Sequence, residues 1–427
     1  MRVEKYQISK FVKKIKYSDD EVILYNTMNS AIVVMPKEQM NNINEMNTDE
    51  LTELEQMGFF ASEENAIEFI NDKLMSFNPD YFTIIIEMTK QCNFRCKYCY
   101  QNDWNRDLSI SYEVIDRCVQ YIESCLQKFD FKKVGVSFFG GEPLLVKEKI
   151  YYAYDKIKQL CDKYSIKLVT EVTSNGYLLD CDFLEHFEQI NYLTTLSLKS
   201  DHDKKRKHIT NKGTYDSILS NILACKHLFQ SDKYMLGIRY NVDDTNITDF
   251  EKFLEGIKTL GIPAKVTTSY TYEHSMNNYY NLLSYNEYKV WNSTKAIETL
   301  IKYGYKVSQV PGISVLACEG YSPYSIKVFS DGQLGLCNAS VDKSMIRGSI
   351  NDICCDVDNV KKIFPEKVSN PINGSSCKKC SDIFLCGGVK FCRQHSMCEY
   401  NEIDIEQFLK TYVEVVKMGY GDLIWNK

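Results

Sequence analysis

Residues 83–101 read TIIIEMTKQCNFRCKYCYQ, an apolar, β-branched run that passes directly into three closely spaced thiols, Cys92, Cys96 and Cys99. The run predicts a buried strand, and the thiols, spaced C-x3-C-x2-C, fall on the loop at its carboxyl end. The same grammar repeats downstream. KVGVSFFG, IKLVTEVTS, INYLTTLSL, YMLGIRYNV and PAKVTTSY read as further strands, and helical patterns occupy 111–128, 146–164, 180–188, 214–229 and 247–260. Six strands alternating with helices predict an α/β fold with a parallel sheet, curled or open, and a site at the carboxyl ends of its strands. Three thiols on one such loop point to metal, either zinc or iron-sulfur. Three thiolates can hold three irons of a 4Fe-4S cluster and leave the fourth open, whereas zinc wants a fourth ligand close by.

Composition sets the frame around that unit. The chain has 427 residues, 44% apolar and 25% charged, which is the balance of a folded globular protein of two or three domains and excludes general disorder. Only 20 Gly and 8 Pro are present, too few for long flexible linkers. The 17 cysteines are an odd number in a long chain with no apolar export segment after Met1, which predicts reduced thiols and a cytoplasmic location. No run nears the ~18 apolar residues of a membrane span. A net charge of -6 with the signs well mixed gives no reason to expect nucleic-acid binding. Residues 1–75 read as a small α+β unit, with short strands at 22–25 and 31–35 and helices at 49–57 and 63–75. The repeating unit fills 80–310, its last part, 276–305, helical. Residues 311–400 are loop-rich and cysteine-rich, 401–427 hold a closing helix, and no internal repeat is visible. Cys118, Cys125, Cys161, Cys181 and Cys225 sit in amphipathic helical patterns and are expected in helix cores.

On the C-x3-C-x2-C spacing, with Tyr98 as the aromatic residue before the last Cys, the sequence resembles the radical S-adenosylmethionine (SAM) enzymes. The resemblance implies a partial (β/α)6 TIM-like barrel and a 4Fe-4S cluster on Cys92, Cys96 and Cys99 that binds SAM. FFGGEPLL resembles the family's GGEP segment, which makes Gly140, Gly141, Glu142 and Pro143 contacts for the SAM amino group. TSNGYLL resembles its TNGY-type segment and offers Ser174 and Asn175 as ribose or carboxylate contacts; Asn-Gly is also simply a good turn. SLKSDHDKKRKHITNKGTY resembles the segment ending in H-D-x-x-R, here His202, Asp203 and Arg206, so Ser197 and Arg206 are implied at the SAM carboxylate and ribose. Lys199 and Ser200 replace the common Asp and Gly there, against a sulfatase-maturase role. The remaining lysines, Lys204, Lys205 and Lys207, have a solvated basic loop as their plain reading. Arg239 and Asn241 end the fifth strand as weaker candidates of the same kind.

The C-terminal cysteines resemble a SPASM extension. Cys318 is followed by thirteen residues, Gly332, four residues and Cys337; then come Cys377-x2-Cys380-x5-Cys386, Cys392 and Cys398. The resemblance implies two auxiliary 4Fe-4S clusters, one on Cys377, Cys380, Cys386 and Cys398 and one on Cys318, Cys337 and Cys392, the second short of a fourth thiolate unless Cys354 or Cys355 is recruited. A zinc ribbon is the alternative for 377–398. EVILYNTMNSAIVVM and the acidic helices after it resemble the winged-helix-like module with which ribosomal-peptide maturases recognise a leader. The implied activity is reductive cleavage of SAM to a 5'-deoxyadenosyl radical that abstracts hydrogen from a precursor peptide. A thioether between a cysteine sulfur and a carbon is the leading product. A carbon-carbon link, an epimer or formylglycine are alternatives, as is a non-enzymatic iron-sulfur carrier or peptide-binding module. Flavodoxin or ferredoxin would be the reducing partner.

Overall fold

The computed structural model describes residues 6–62, 64–65, 68, 80–101, 107–272, 279–307, 320, 322–338, 340, 345–353, 357–367, 380–381, 383–386 and 402–423. At the amino end, β1 (Val12–Lys16), β2 (Glu21–Asn26) and β3 (Ile32–Pro36) form an antiparallel three-stranded sheet in that order. β1 was not legible in the sequence because its VKKIK places only Val12 and Ile15 in the core. Helix Thr48–Gln56 follows, capped by the Asn47 side chain, which accepts from the Glu50 N–H. It buries Leu51 and Leu54 against Val12, Val22 and Leu24. The helix expected at 63–75 falls on residues of which only 64, 65 and 68 are described.

The main sheet takes in β4 (Tyr81–Thr89), β6 (Lys133–Gly140), β7 (Lys167–Thr173), β8 (Ile190–Thr195), β10 (Tyr234–Val242) and β11 (Ala264–Tyr270), all parallel and adjacent in chain order. Between them lies a two-stranded antiparallel ribbon, β5 (Phe94–Cys96) with β9 (Arg206–His208). Consecutive order means that every crossover winds the same way, the arrangement of a barrel rather than of a doubly wound sheet. At the β4 edge the sheet continues with β12 (Ser325–Val328), parallel to β4, then β13 (Gln333–Gly335) and β14 (Ile346–Ser349), both antiparallel. Part of the cysteine-rich segment therefore extends the main sheet. Its β12–β13 hairpin turns at Gly332, whose φ of 82° is the left-handed region that favours glycine.

Alternation assigns the two faces of this sheet. Ile84, Ile86, Val134, Val136, Tyr192 and Ile238 bury in one cluster with helix residues Ile115, Ile122, Ile157 and Leu254. The other face is mixed: Glu87, Ser137, Glu171, Thr195, Arg239 and Asn241 stand on it with Ile85, Phe139 and Leu193. Of the cysteines expected in helix cores, Cys118, Cys125, Cys161 and Cys225 are buried. Cys181 is half-buried instead, because it opens helix Cys181–Glu185, where its thiol meets that of Cys225. The 276–305 helical region resolves into Tyr285–Trp291 and Ile297–Lys302, joined by a π-helical turn at Asn292–Ala296. Helix Glu402–Lys417 closes the chain. Its Ile405, Leu409 and Val413 pack with Ile15, Ile23 and Tyr25 of the amino-terminal sheet. No helix among the described residues is long and apolar enough to cross a membrane.

Candidate active site

The register of β4 shifts between Glu87 and Thr89, an irregularity that aims the chain into the three-cysteine loop. That loop is held from two sides. On one, β6 ends in Gly140 and is followed by Gly141, and the neighbours of both are backbone: Gly141 N–H donates to the Thr89 carbonyl and Glu142 N–H to the Gln91 carbonyl, each at 2.8 Å. A Cβ on Gly140 would stand 2.3 Å from the Thr89 carbonyl oxygen and one on Gly141 2.3 Å from that of Gln91. Both glycines are required by this close approach. On the other side the β5–β9 ribbon sets Phe94 opposite His208 and Cys96 opposite Arg206. Thus the thiol loop and the H-D-x-x-R segment, 108 residues apart at Tyr98 and Arg206, meet.

Glu142 is fully buried. Its carboxylate accepts from Leu144 N–H at 2.9 Å, Ser174 Oγ at 2.9 Å and Asn175 N–H at 2.7 Å. Burial pushes its pKa up, against those three donors. Asn175 Nδ2 in turn donates to Asn93 Oδ1 at 2.7 Å, tying the third strand's turn to the cysteine loop. Pro143 begins the short turn Pro143–Val146 that Glu142 caps. Ser174 and Asn175 are therefore the residues that hold Glu142 in place.

Arg206 is buried, with Nη1 donating to Tyr98 Oη at 3.2 Å and the guanidinium 5.7 Å from the Phe94 ring centre. Among the described residues its buried Nε has no hydrogen-bond partner. Burial works against the charge, yet Tyr98, Cys96 and Cys92 hold its pKa above the ordinary value. Tyr98 also meets Asn241 at the end of β10 and the edge of Tyr279. His202 and Asp203 do structural work. Asp203 Oδ1 accepts from the N–H groups of Thr214 and Tyr215, and His202 Nε2 lies 3.1 Å from Thr214 Oγ1. Since that hydroxyl donates to the Arg206 carbonyl at 2.6 Å, Nε2 must be the donor. His202 Nδ1 is then a buried acceptor unpaired among the described residues, and burial keeps the ring neutral, its pKa well below the usual value.

Ser197 Oγ donates to Asp201 at 2.9 Å and belongs to a buried charged cluster that the sequence did not announce. Lys205 lies 2.5 Å from both Asp201 and Asp243, and Tyr279 donates a short hydrogen bond to Asp243. Burial raises the Asp243 pKa and Lys205, Tyr279 and Thr245 outweigh it, leaving the carboxyl below the usual range. Lys205 is thus a buried ion-pair member, a correction to the solvated basic loop, because helix Lys199–Lys205 turns it inward. Arg239 is exposed on the polar face of β10, level with Thr195 and Thr267. Two further buried charges share that face. Glu87 Oε1 accepts from Ser330 N–H and Oγ, with Oε2 unpartnered among the described residues, and Lys327 Nζ donates to the Asn338 carbonyl at 3.0 Å. A charged residue inside an apolar strand run, TIIIEMT or SIKVF, was the signal for both.

The thiols Cys92, Cys96 and Cys99 are all half-buried. Cys92 Sγ accepts from the Phe94 N–H at 3.3 Å, and burial pushes its pKa up to about 12. Among the described residues no three His, Cys, Asp or Glu side chains form a group that could hold a metal ion. What the fold supplies for these thiols is a shared, backbone-braced loop. Of the C-terminal thiols, Cys337 is half-buried, Cys380 is exposed and Cys386 ends helix Ile383–Cys386. Cys318, Cys377, Cys392 and Cys398, with Cys354 and Cys355, lie outside the described residues.

Residues 86–257 match the radical SAM superfamily model. The chain carries a radical SAM domain. It is similar to the radical SAM cyclopropyl synthase TigE of Paramaledivibacter caminithermalis, 23% identical over 284 residues, 56% of this chain and 58% of that one. It is also similar to a cysteine-type anaerobic sulfatase-maturating enzyme of Clostridium novyi, 26% identical over 145 residues, 33% and 38% of the two chains. The chain spans about half the length of the curated relatives it matches. Its fold is that of native anSMEcpe solved with bound AdoMet and the Kp18Cys peptide, with a TM-score of 0.58, 17% identity, and coverage of 80% of this chain and 99% of that one. The radical SAM domain takes in every element from the end of β4 to helix Phe250–Thr259.

Proposed function

We propose that the protein is a cytoplasmic radical SAM maturase of a ribosomally made peptide, forming a thioether between a cysteine sulfur and a carbon of another residue. The observation that carries the site is the meeting of the three-cysteine loop with Arg206 across the β5–β9 ribbon. Cys92, Cys96 and Cys99 would hold the 4Fe-4S cluster. The chemistry of the donors supports it: three thiols on one loop, beside a buried guanidinium whose Nε has no partner among the described residues and suits an anionic group such as the SAM carboxylate. When bound, cluster and SAM together supply a 5'-deoxyadenosyl radical that abstracts a substrate hydrogen. The chain's own residues bind, orient and exclude water. Gly140, Gly141, Glu142 and Pro143 would present the SAM amino group, with Ser174 and Asn175 fixing Glu142. Ser197, Tyr98, Arg206 and Arg239 would line the remaining contacts.

The auxiliary clusters are assigned to Cys377, Cys380, Cys386 and Cys398, and to Cys318, Cys337 and Cys392. The second set, one thiolate short, supports a thioether because an open iron can hold a substrate sulfur. The winged-helix-like reading of the amino-terminal sheet supports leader binding by strand addition at β3, an edge among the described residues. Likeness to a cyclopropyl synthase favours a second reading, carbon-carbon bond formation.

Reconstituted enzyme, SAM and dithionite should yield 5'-deoxyadenosine, and replacing all three loop cysteines by Ala should abolish it while auxiliary iron remains. With a cognate precursor peptide the product should be lighter by two hydrogens with one thiol closed to alkylation. A product of that mass with every thiol free indicates the carbon-carbon link, and formylglycine or an epimer rejects both.

A further inference from the structure

Lys205 is held by its side chain and by its main chain. Its Nζ has three protons to donate and uses each: Asp201 and Asp243 lie 2.5 Å away and Thr245 Oγ1 2.7 Å. The acceptors are fixed in turn. Asp201 Oδ2 accepts from Ser197 Oγ at 2.9 Å and from Asn246 Nδ2 at 3.0 Å. Asp243 Oδ1 accepts from Thr245 N–H at 3.0 Å and Thr245 Oγ1 at 2.7 Å, and Tyr279 donates to its other oxygen. At the main chain, the Lys205 carbonyl accepts from the Lys97 N–H at 2.9 Å, between Cys96 and Cys99. The next residue, Arg206, stands opposite Cys96 and donates to Tyr98, whose ring meets the edge of Tyr279 with centroids 5.9 Å apart. The network gathers segments that follow β8, β10 and β11 and ties them to the thiol loop.

Stability does not account for this arrangement. Asp201, Lys205 and Asp243 are all buried, and taking such a triad out of water costs about as much as its ion pairs return, so apolar side chains of the same size would serve the core as well. What apolar contacts do not supply is direction, which a fully satisfied polar network does. We propose that Lys205 is a positioning residue: anchored on Asp201 and Asp243, it sets the thiol loop and the Arg206 guanidinium in the geometry that receives SAM, an inference that rests on the radical SAM reading of the site. It acts through Arg206 and the Lys97 N–H and takes no part in the chemistry.

The test is the triple variant Asp201→Asn, Lys205→Met, Asp243→Asn in the reconstituted full chain, which keeps the side chains' size and removes all three charges together, so that none is left buried alone. Its urea midpoint and bound iron should match wild type. Calorimetric SAM affinity should fall by roughly tenfold and the KM for SAM in 5'-deoxyadenosine formation rise by the same factor, while kcat at saturating SAM stays within about threefold. The Lys97 amide should exchange with solvent faster than in wild type. A folded variant with SAM affinity and KM unchanged overturns the proposal. So does one whose kcat falls while its affinity holds, which would place the triad in the chemistry. If the triple variant does not fold, Tyr279→Phe decides: Lys205 and Thr245 still satisfy Asp243, one tether is lost, and SAM affinity should fall by about threefold; no change overturns the proposal. Wild type that binds no SAM overturns the radical SAM reading itself. That failure is told apart from this one because the Lys97 amide would still exchange faster in the iron-free triple variant than in the iron-free wild type.

Discussion

Glu87 illustrates how a single side chain departs from its pattern. It occupies an apolar strand, is fully buried, and uses one oxygen for Ser330 while the other has no partner among the described residues. Burial raises its pKa above the ordinary 4.5, so the folded state holds the proton to a higher pH than the unfolded chain does. Stability from this group is complete below the unfolded value and is lost as pH rises through the folded one. Urea midpoints of wild type should therefore fall relative to Glu87→Gln as pH is raised from about 4 towards about 7. A parallel course for the two proteins would show that the carboxyl titrates normally. Glu142, as deeply buried, has donors on both oxygens. Glu142→Ala should cost about 1 to 3 kcal/mol for each donor left unpaired, read from the denaturant midpoint.

Elements act here through backbone contact more than through side chains. Gly140 and Gly141 let the end of β6 lie against the Thr89 to Gln91 backbone, so the strand end and the cysteine loop form one body. In Gly141→Ala the new methyl meets two carbonyl oxygens and must displace the loop. Far-ultraviolet circular dichroism should be near wild type, while 5'-deoxyadenosine formation should drop by about a hundredfold, the usual cost of a misplacement near 1 Å. Full activity would mean that the loop tolerates the shift. The β5–β9 ribbon is the second such element. Its pairing joins segments too distant for any local pattern to reveal, and FRC and RKH carry no strand signature of their own.

At the scale of the molecule, the first and last parts of the chain share a core. Leu409 of helix Glu402–Lys417 is fully buried among Ile15, Ile23, Tyr25 and Leu385, and Tyr17 donates to Glu414 at 2.5 Å. Leu409→Ala should destabilise by about 2 to 5 kcal/mol. Because the loss falls on that shared core, amide exchange in β1–β3 should quicken before exchange in β4–β8 does. Uniform acceleration would show that the two sheets unfold as one.

The six parallel strands, the helices after them, and the order of the three-cysteine, Gly-Gly-Glu and H-D-x-x-R segments were legible in the sequence, because hydrophobic period and turn chemistry are local. Gly140, Gly141, Glu142 and Arg206 were named as candidates by the resemblance of their segments to family motifs. What surrounds them was not legible. That Ser174 and Asn175 hold Glu142, that Asp203 caps the next helix, that Lys205 is buried between Asp201 and Asp243, and that β12–β14 extend the sheet all depend on residues brought together across the fold. A lysine reads the same in sequence whether solvated or ion-paired, since burial and partner choice are set by the packing of elements. Only the tertiary structure decides that.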